Sequence, residues 1–546
     1  MIKSTCAYLK SNTLFIVAVA IAAALRAYQI TYQIIADDEW HALHKVLNST
    51  MLAIISNPGE TTDSVPMTVF YKFMLEHVML SEWVMLAPSL VFGMLTVVTL
   101  PAAAREIIGG RAATLLACLI AISPLLIFFS RLARPYAFIP VLTFGGVMAF
   151  LKWSGGRGKR WAVIYVICAV AAPYLHLTAL PFLAAPLFIL PVEKLWQRYS
   201  SNPAASTSRT SNYETIIVYT IVPVLSSLLV YLVLRDSSGS FAAKISKDRP
   251  TVETCIETLK LFYGVQHAWV VGVLIAASVV GLMQILKMHR RFALYVLSAC
   301  IFQILFIAVS GPFASNAPAV FSRYVLSLLP VLLMFTAAAV VYFDSALRGI
   351  IRWWPHALGI FIVLTLLIFS PLKTIYYQPN SFTNHALFQH NYNPDNKYAA
   401  KLRPKSIPQF YYNLAKLERN SITIIEAPWY YPYQSNAIYV YYQQVHRQRV
   451  VIGFVGTDLI RFGEFPINGR ARFRNFVHLS DNQADNQALK MRTIKYVVFH
   501  LNLFDEVTSR YSGAVAVDMT GWIAYYKSIY GIPVYMDDKI VVFDVS

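Results

Sequence analysis

Charged residues are scarce in this chain, whereas long apolar runs are frequent. Asp, Glu, Lys and Arg make up only 14% of the 546 residues and hydrophobic residues 57%, and the mean hydropathy is +0.51. Soluble domains carry about 25% charged residues, so this composition excludes a soluble enzyme with a single anchor. Apolar stretches able to cross a ~30 Å hydrocarbon core recur through roughly the first 370 residues. We predict a polytopic α-helical membrane protein with about eleven spans, near residues 13–30, 84–104, 112–129, 136–151, 161–175, 177–192, 215–234, 269–286, 292–309, 324–342 and 357–372.

Acidic residues are fewer than basic ones, 28 against 46, and the formal net charge is +18. In a soluble protein such an excess would suggest a nucleic-acid partner. Here many of the basic residues fall in alternate loops, which is the positive-inside pattern of membrane proteins. They are Lys3, Lys10, Arg105, Arg111, Lys152, Arg157, Lys159, Arg160, Lys194, Arg198, Lys287, Arg290, Arg291, Arg348 and Arg352. The pattern places the N-terminus in the cytoplasm and argues against binding to nucleic acid.

Cysteine is rare, with five residues in the whole chain. None of the five has the spacing of metal ligands, and most fall inside predicted helices. Only Cys255 is expected in an extracytoplasmic loop, so the sequence predicts structural thiols and no disulfide framework.

The first apolar segment has two interpretations. Residues 14–25, with three consecutive alanines at their end, also fit a signal peptide with a small-residue cleavage site. We favour an uncleaved first helix, because the apolar run ends in Arg26 and Tyr28. Under either interpretation the chain from residue 31 onward lies on the far side of the membrane.

The C-terminal part of the chain differs in composition from the rest. An odd number of spans places everything after about residue 373 outside the cytoplasm, and Pro, Asn, Tyr and Gln become more frequent there. Short β-like runs occur at 421–426, 449–454, 493–500 and 531–545, the last a hairpin candidate that turns at Asp537-Asp538. Helical segments fit 405–420 and 482–491. We therefore predict a transmembrane domain at 1–372, including a first extracytoplasmic loop at 31–83, and a small extracytoplasmic α/β domain at 373–546.

Three adjacent carboxylates, Asp37, Asp38 and Glu39, follow the first apolar segment. Like charges this close raise the pKa of at least one carboxyl group, which prepares it for proton transfer. The plainer interpretation is a solvated helix N-terminus, where acidic residues are favoured by the helix dipole.

A second group of polar residues is expected on the same extracytoplasmic face. It consists of Arg131, Arg134, Tyr136, His176, Arg323 and Tyr324. Arginines beside short outer loops are unusual and call for an anionic partner, and a lipid-linked phosphate or pyrophosphate fits, because Arg binds phosphate oxygens in a bidentate manner. Taken singly, Arg131 and Arg134 could bind outer-leaflet headgroups, His176 could be a packing histidine, and Arg323 could be an interface anchor. Their convergence with the carboxylates on one face favours a functional site.

Several short motifs, taken in order, resemble the GT-C membrane glycosyltransferases, in particular the protein-mannosyltransferase/aminoarabinose-transferase type that uses polyprenyl-phosphate sugars. The residues that carry the resemblance are Asp38-Glu39, Ser81-Glu82, Pro88-Ser89, Gly109-Gly110-Arg111-Ala112-Ala113, Ile122-Ser123-Pro124, Ser130-Arg131-Leu132-Ala133-Arg134-Pro135-Tyr136, Tyr174-Leu175-His176 and Phe321-Ser322-Arg323-Tyr324 with Pro330. The resemblance covers roughly residues 10–345. Each motif is modest alone, and their order and spacing are more specific.

The chain also departs from the family pattern. The family's His-Pro-Pro segment reads Ser64-Val65-Pro66 here, and the Arg that usually precedes the Pro-Ser of the second span is replaced by Leu86. A phosphate-binding lysine near the proline motif is absent unless Lys72 serves. These departures leave acceptor handling and a divalent metal site open.

The resemblance implies an inverting glycosyltransferase, hexosyl or pentosyl, in a bacterial inner membrane. It would move a sugar from a polyprenyl-phosphate carrier to a glycan, lipid or protein acceptor at the extracytoplasmic face. Asp38 would be the general base, with Glu39 and Asp37 beside it. Arg131, Arg134 and Arg323 would bind the donor phosphate, with Tyr136, His176 and Tyr324 as further donor contacts.

Two alternatives remain open. A lipid-linked-sugar transporter or flippase would usually show internal repeats and charges near the middle of the membrane, whereas this chain has no convincing repeat and its charges cluster at one face. An oligosaccharide polymerase or ligase that uses lipid-pyrophosphate donors would share the arginines.

Overall fold

A computed structural model gives the fold of the chain. It describes residues 12–28, 30, 42, 45–46, 49–56, 64–78, 80, 82–199, 212–235, 249–312, 314–347, 357–372, 406–427, 437–455, 476–479, 494–501 and 519–546. The chain divides into two compact units. The first, called the helical unit here, comprises Met1–Tyr28, Ser56–Pro66 and Pro88–Leu372. The second comprises Gln29–Ile55, Met67–Ala87 and Lys373–Ser546.

Apolar α-helices dominate the chain up to residue 372. In chain order they are α1 Thr13–Ala27, α2 Met51–Ser56, α3 Val65–Phe73, α4 Glu82–Ile122, α5 Pro124–Ser130, α6 Phe138–Ser154, α7 Lys159–Leu175, α8 Leu180–Tyr199, α9 Asn212–Arg235, α10 Val252–Tyr263, α11 Ala268–Met288, α12 Arg290–Ser310, α13 Pro318–Tyr324, α14 Leu328–Leu347 and α15 Ala357–Phe369. Among the described residues, seven helices are long and apolar enough to cross a membrane, and two shorter apolar helices accompany them. The protein is therefore an integral, multi-pass membrane protein, and the predicted helical fold class is confirmed.

Helix α4 contains two predicted spans joined by a tight turn. Gly109 has a φ of +79° inside it, a conformation that glycine adopts without the cost that a Cβ brings. The second half ends at Ile122, and Pro124 starts the short helix α5. The span predicted at 112–129 is thus broken at Ser123 rather than continuous.

Arg26 stabilises this break. Pro124 has no backbone N–H, so the carbonyl of Ile120 lacks its ordinary donor four residues on. The buried Arg26 of α1 donates to that carbonyl at 3.3 Å and to the carbonyl of Ala121 at 3.1 Å. Its Nε also donates to the Ser130 hydroxyl at 3.1 Å. One arginine therefore joins α1 to the end of α4 and the end of α5.

Helices α11 and α14 approach each other closely at Gly281. A Cβ built at this glycine would overlap the carbonyl oxygen of Phe335. Beside this contact, the Ser278 hydroxyl bonds to the hydroxyls of Tyr263 and Thr336 at 2.9 and 2.8 Å. The absence of a side chain at Gly281 allows the two backbones to pack directly, as small residues commonly do between membrane helices.

The C-terminal region of the second unit contains a six-stranded sheet. Its strands are β1 Thr423–Ala427, β2 Arg449–Val455, β3 Phe476–Leu479, β4 Ile494–His500, β5 Tyr535–Met536 and β6 Ile540–Asp544, in the order β3-β2-β1-β4-β6-β5. Strands β1 to β4 pair in parallel, and β6 is antiparallel to β4 and β5. Helices α16 Gln409–Leu414, α17 Ala437–His446 and α18 Thr520–Tyr530 accompany the sheet. The predicted α/β character and the β5–β6 hairpin are confirmed, whereas β3, α17 and α18 were not predicted.

A buried polar cluster lies at the carboxyl ends of the neighbouring strands β1 and β4. The Glu426 carboxylate pairs with His500 Nε2 at 2.7 Å and accepts hydrogen bonds from the Tyr411 hydroxyl at 2.9 and 3.0 Å. The ring of Tyr442 stacks on both Tyr411 and His500. The carboxylate is fully buried, and such a group is tolerated when its oxygens are bonded in this way.

Candidate functional site

The segment from Ser130 to Ala137 is buried throughout, although it contains two arginines. Helix α5 ends where the Arg131 N–H donates to the Phe128 carbonyl at 3.0 Å. Pro135 then begins a short 3-10 turn, in which its fixed φ suits the first position. The Ser89 hydroxyl donates to the Arg134 carbonyl at 3.0 Å. These bonds fix the backbone on both sides of the arginines.

Arg131 binds the end of the first helix. Its Nη1 donates to the carbonyls of Arg26 and Tyr28, at 3.1 and 2.5 Å. Both carbonyls lie at the C-terminus of α1, where helix carbonyls lack backbone donors and a cation is favoured by the dipole. Arg131 thereby fixes the point from which the chain continues to the acidic residues.

Arg323, Tyr136, His176 and Tyr324 lie together. Arg323 Nη1 donates to the Tyr136 hydroxyl at 3.0 Å, and its guanidinium lies 5.5 Å from the centre of that ring. The His176 ring centre is 5.5 Å from that of Tyr136 and 6.1 Å from that of Tyr324. The turn after α5, the turn after α7 and the end of α13 each contribute side chains. All four residues are among the donor contacts that the sequence predicts.

His176 is electrically neutral in this site. It lies between α7 and a short 3-10 turn, and its Nδ1 is 2.7 Å from the Thr178 hydroxyl. Burial, together with the guanidinium charges of Arg323 and Arg134, lowers the pKa of His176 to about 3. The imidazole therefore offers hydrogen bonds at neutral pH and does not titrate there.

Gln303 is a member of the site that the sequence analysis missed. It lies on α12 with 1% of its surface exposed, and its Nε2 donates to the carbonyls of Tyr324 and Thr178 at 2.7 and 3.3 Å. The amide therefore ties the end of α13 to the turn that carries His176. Its Oε1 has no hydrogen-bond partner among the described residues. An amide inside an apolar helix was the available signal, because polar groups there are costly and usually functional.

The predicted catalytic acids Asp37, Asp38 and Glu39 lie outside the described residues, so their role stays a prediction. Of the six other predicted site residues, the structure brings Tyr136, His176, Arg323 and Tyr324 together as one group. It places Arg134 in the buried segment two residues before Tyr136 and gives Arg131 a contact with α1. Within the described part of the chain, no group of three or more His, Cys, Asp or Glu side chains is arranged to bind a metal ion.

The arrangement suits an anionic, oxygen-rich ligand. Two arginines in a largely buried setting give strong charge-assisted bonds to phosphate oxygens. Tyr136, Tyr324 and the neutral His176 add hydrogen-bonding groups and ring faces of the kind that bind sugar hydroxyls and apolar edges.

No protein-family model and no curated protein sequence matches the chain. Among solved structures, the chain is similar to ArnT from Cupriavidus metallidurans bound to undecaprenyl phosphate, with 12% identity, a TM-score of 0.44, and coverage of 97% of this chain and 98% of that chain. The apo state of the same protein gives 12% identity, a TM-score of 0.43 and 97% coverage of both chains. The Archaeoglobus fulgidus oligosaccharyltransferase in complex with Zn and sulfate gives 13% identity and a TM-score of 0.38, over 90% of this chain and 68% of that one. Likenesses this low do not assign an activity to the chain.

Proposed function

We propose that the protein is an inverting glycosyltransferase of the GT-C type that takes a sugar from a polyprenyl-phosphate carrier. The grouping of Arg323, Arg134, Tyr136 and His176 carries the proposal, because it provides concentrated positive charge beside neutral sugar-binding groups. The motifs around these residues, which resemble that family, agree with it. The setting is a bacterial inner membrane, with the site on the extracytoplasmic face and a glycan, lipid or protein as acceptor.

The proposed reaction needs one base and one stabilised leaving group. The acceptor hydroxyl oxygen attacks the anomeric carbon from the side opposite the phosphate. The bond between that carbon and the phosphate oxygen breaks, and polyprenyl phosphate leaves with the electron pair. Asp38 accepts the hydroxyl proton, while Glu39 orients it and Asp37 raises its pKa.

Arg323 and Arg134 stabilise the negative charge that grows on the leaving phosphate. Such preorganised donors in a water-poor site contribute several kcal/mol, about 10²–10³-fold in rate for one donor. Gln303 holds the end of α13 in place through the Tyr324 carbonyl. The Tyr136 hydroxyl holds the Arg323 guanidinium before the donor binds. Arg131 acts mainly through α1, since its Nη1 already bonds to two carbonyls of that helix.

The first test compares Arg323→Ala, Arg323→Lys and Arg291→Ala in the purified full-length protein, with undecaprenyl phosphate as the binding probe. We expect Arg323→Ala to weaken binding at least tenfold and Arg323→Lys to recover only part, because a point charge cannot form the two-pronged contact. Arg291, bound to Glu193 elsewhere in the helical unit, should tolerate replacement without loss of probe binding.

Lipids that co-purify with the protein, identified by mass spectrometry, would name the donor. Full probe binding by Arg323→Ala would refute the phosphate-binding role. Movement of a lipid-linked sugar across vesicles without transfer to any acceptor would favour a transporter.

A further inference from the structure

An apolar crevice lies in the helical unit, apart from the site described above. It has a volume of about 560 Å³ and runs between α1, the second half of α4, α14 and α15. Val17 and Ile21 line it from α1, and Val363 and Leu367 line it from α15. Ile21 lies seven positions after Leu14 on its wall, which corresponds to about 10 Å at the helical rise of 1.5 Å per residue. This is the shape of a slot for part of an acyl chain.

One end of the crevice is polar and well ordered by hydrogen bonds. Asn12, Arg105, Arg111, Thr114 and Asp344 line it there. The Asn12 amide donates to the Thr114 hydroxyl at 2.7 Å, and its carbonyl oxygen accepts from the Phe15 N–H at 3.1 Å. These bonds connect the start of α1 to α4 and fix the mouth of the crevice.

The mouth has more positive than negative charge. Among the described residues, Arg105 and Arg111 line it with one carboxylate, Asp344, which is mostly buried. The Nε of Arg105 lies 3.8 Å from where a Cβ on Gly110 would be, so its side chain lies against the turn beside Arg111.

Some other cations of this end of the helical unit have carboxylate partners within the protein. Lys152 pairs with Glu106 at 3.1 Å, and Arg291 pairs with Glu193 at 2.9 Å. Arg111, by contrast, makes no ion pair with any residue in the described part of the chain. A phosphate at the mouth would supply the anion that Arg111 lacks among the described residues.

We propose that the crevice binds an anionic glycerophospholipid, with its phosphate between Arg105 and Arg111 and one acyl chain along Val17, Ile21 and Val363. The loop charges place this end at the cytoplasmic face, where anionic lipids are concentrated and basic pockets between membrane helices select them. Asp344 opposes the phosphate, so the two arginines outweigh one carboxylate. The site is separate from the proposed donor site and does not depend on the proposed reaction.

The test uses delipidated full-length protein in detergent, with phosphatidylglycerol and phosphatidylcholine of identical acyl chains. Native mass spectrometry then counts the lipids bound. Phosphatidylglycerol should be preferred, and Arg111→Ala should weaken its binding about fivefold, the effect of one basic residue near an anionic headgroup. The double variant Arg105→Ala/Arg111→Ala should remove the preference.

Two further variants separate this site from general surface charge. The double variant Lys287→Ala/Arg290→Ala removes two exposed cations, one at the end of α11 and one at the start of α12. Neither residue lines the crevice, so this variant should leave the lipid preference unchanged. Gly359 lines the crevice, and a Cβ added there would lie 3.6 Å from the Leu115 side chain, an ordinary van der Waals contact. Gly359→Leu should therefore fill the crevice, and binding of both lipids should fall. Unchanged thermal stability confirms that each variant is folded.

Equal binding of the two lipids by the unaltered protein would overturn the proposal, as would an equal effect of the Lys287/Arg290 control. Retained binding in Gly359→Leu would place the lipid elsewhere. In a competition arm, undecaprenyl phosphate is added at a concentration equal to that of phosphatidylglycerol. If it displaces phosphatidylglycerol from the unaltered protein but not from Arg111→Ala, the crevice binds a polyprenyl lipid instead.

Discussion

At the scale of single residues, Asp38 carries the most specific chemical prediction. Asp38→Asn keeps the shape of the side chain and cannot accept the acceptor proton, so transfer should fall by about 10²–10⁴-fold. Binding of undecaprenyl phosphate should persist, because the phosphate contacts are assigned to arginines. Transfer and binding are to be measured on the same purified variant.

Asp37→Asn is the matched control for that change. It removes a like charge next to Asp38, which should lower the pKa of the base and shift the onset of activity to lower pH. If Asp37→Asn abolishes sugar transfer and Asp38→Asn retains it, the general base is Asp37 and not Asp38. Retained transfer in both would contradict the proposed mechanism.

His176 gives a pH prediction whose sign follows from its environment. Its folded-state pKa of about 3 lies below the ordinary 6.5, so the unfolded chain binds a proton between these values that the folded chain does not. Stability therefore falls as pH falls from about 6.5 towards 3. His176→Gln should lose less thermal stability than the unaltered protein between pH 7 and pH 5, measured by thermal unfolding in detergent. An equal loss in both proteins would show that His176 does not titrate in this way.

Loop charge and order along the chain were enough to select Arg131, Arg134 and Arg323 as candidate site residues, but not to predict what each one binds. Arg131 bonds to carbonyls of α1, whereas Arg323 bonds to Tyr136. That difference depends on the direction in which each side chain points, which the hydrophobic periodicity of the sequence does not predict. Arg26 was considered only as the end of the first apolar run, although a buried arginine in an apolar helix is itself a signal of a functional or structural role.

At the scale of elements, the packing of α11 on α14 predicts that a side chain at position 281 is not tolerated. Gly281→Ala should lower stability by about 1–3 kcal/mol, because the added methyl group overlaps the Phe335 carbonyl and forces the helices apart. Gly272→Ala in the same helix meets nothing within 4 Å and should be neutral or slightly stabilising. Thermal unfolding of both variants in detergent checks the difference, and equal stability would mean that α11 and α14 adjust freely.

Element prediction succeeded where composition decides the structure and failed where tertiary contacts do. Apolar length was sufficient to locate the membrane helices. It could not show the break at Ser123, which depends on the missing N–H of Pro124 and on donors from Arg26. In the C-terminal region, the four-residue strand β3 is too short for alternation to reveal it, and its register comes from pairing with β2.

The burial of Glu426 illustrates the same limit. A glutamate in a β-like run predicts an exposed edge or face, because charged side chains are almost never fully buried unless paired. Its partners, Tyr411 and His500, lie 15 and 74 residues away in sequence, so only the folded sheet brings them together.

At the scale of the whole molecule, the division between membrane and C-terminal regions leads to a topology prediction. Basic residues in alternate loops predict that the C-terminal region lies outside the cytoplasm, and the proposed reaction requires this side. A cysteine at the exposed Ile532, introduced into a chain without its five native cysteines, should react with a membrane-impermeant maleimide in intact cells. Met288→Cys, exposed at the predicted cytoplasmic end of α11, should react only after the cells are permeabilised.

The pair of reporters also tests the membrane side on which both proposals depend. If Ile532→Cys is protected and Met288→Cys is labelled in intact cells, the topology is the reverse of the predicted one. Arg323 and His176 would then lie at the cytoplasmic face and the Arg105/Arg111 crevice in the outer leaflet. Both proposals would then lose the side of the membrane on which they depend. Labelling of both reporters in intact cells would instead change the number of spans between α11 and residue 532. The labelled Met288→Cys would still place Arg323 and His176 on the cytoplasmic face, so this outcome would also contradict both proposals, and only the location predicted for the C-terminal region would stand.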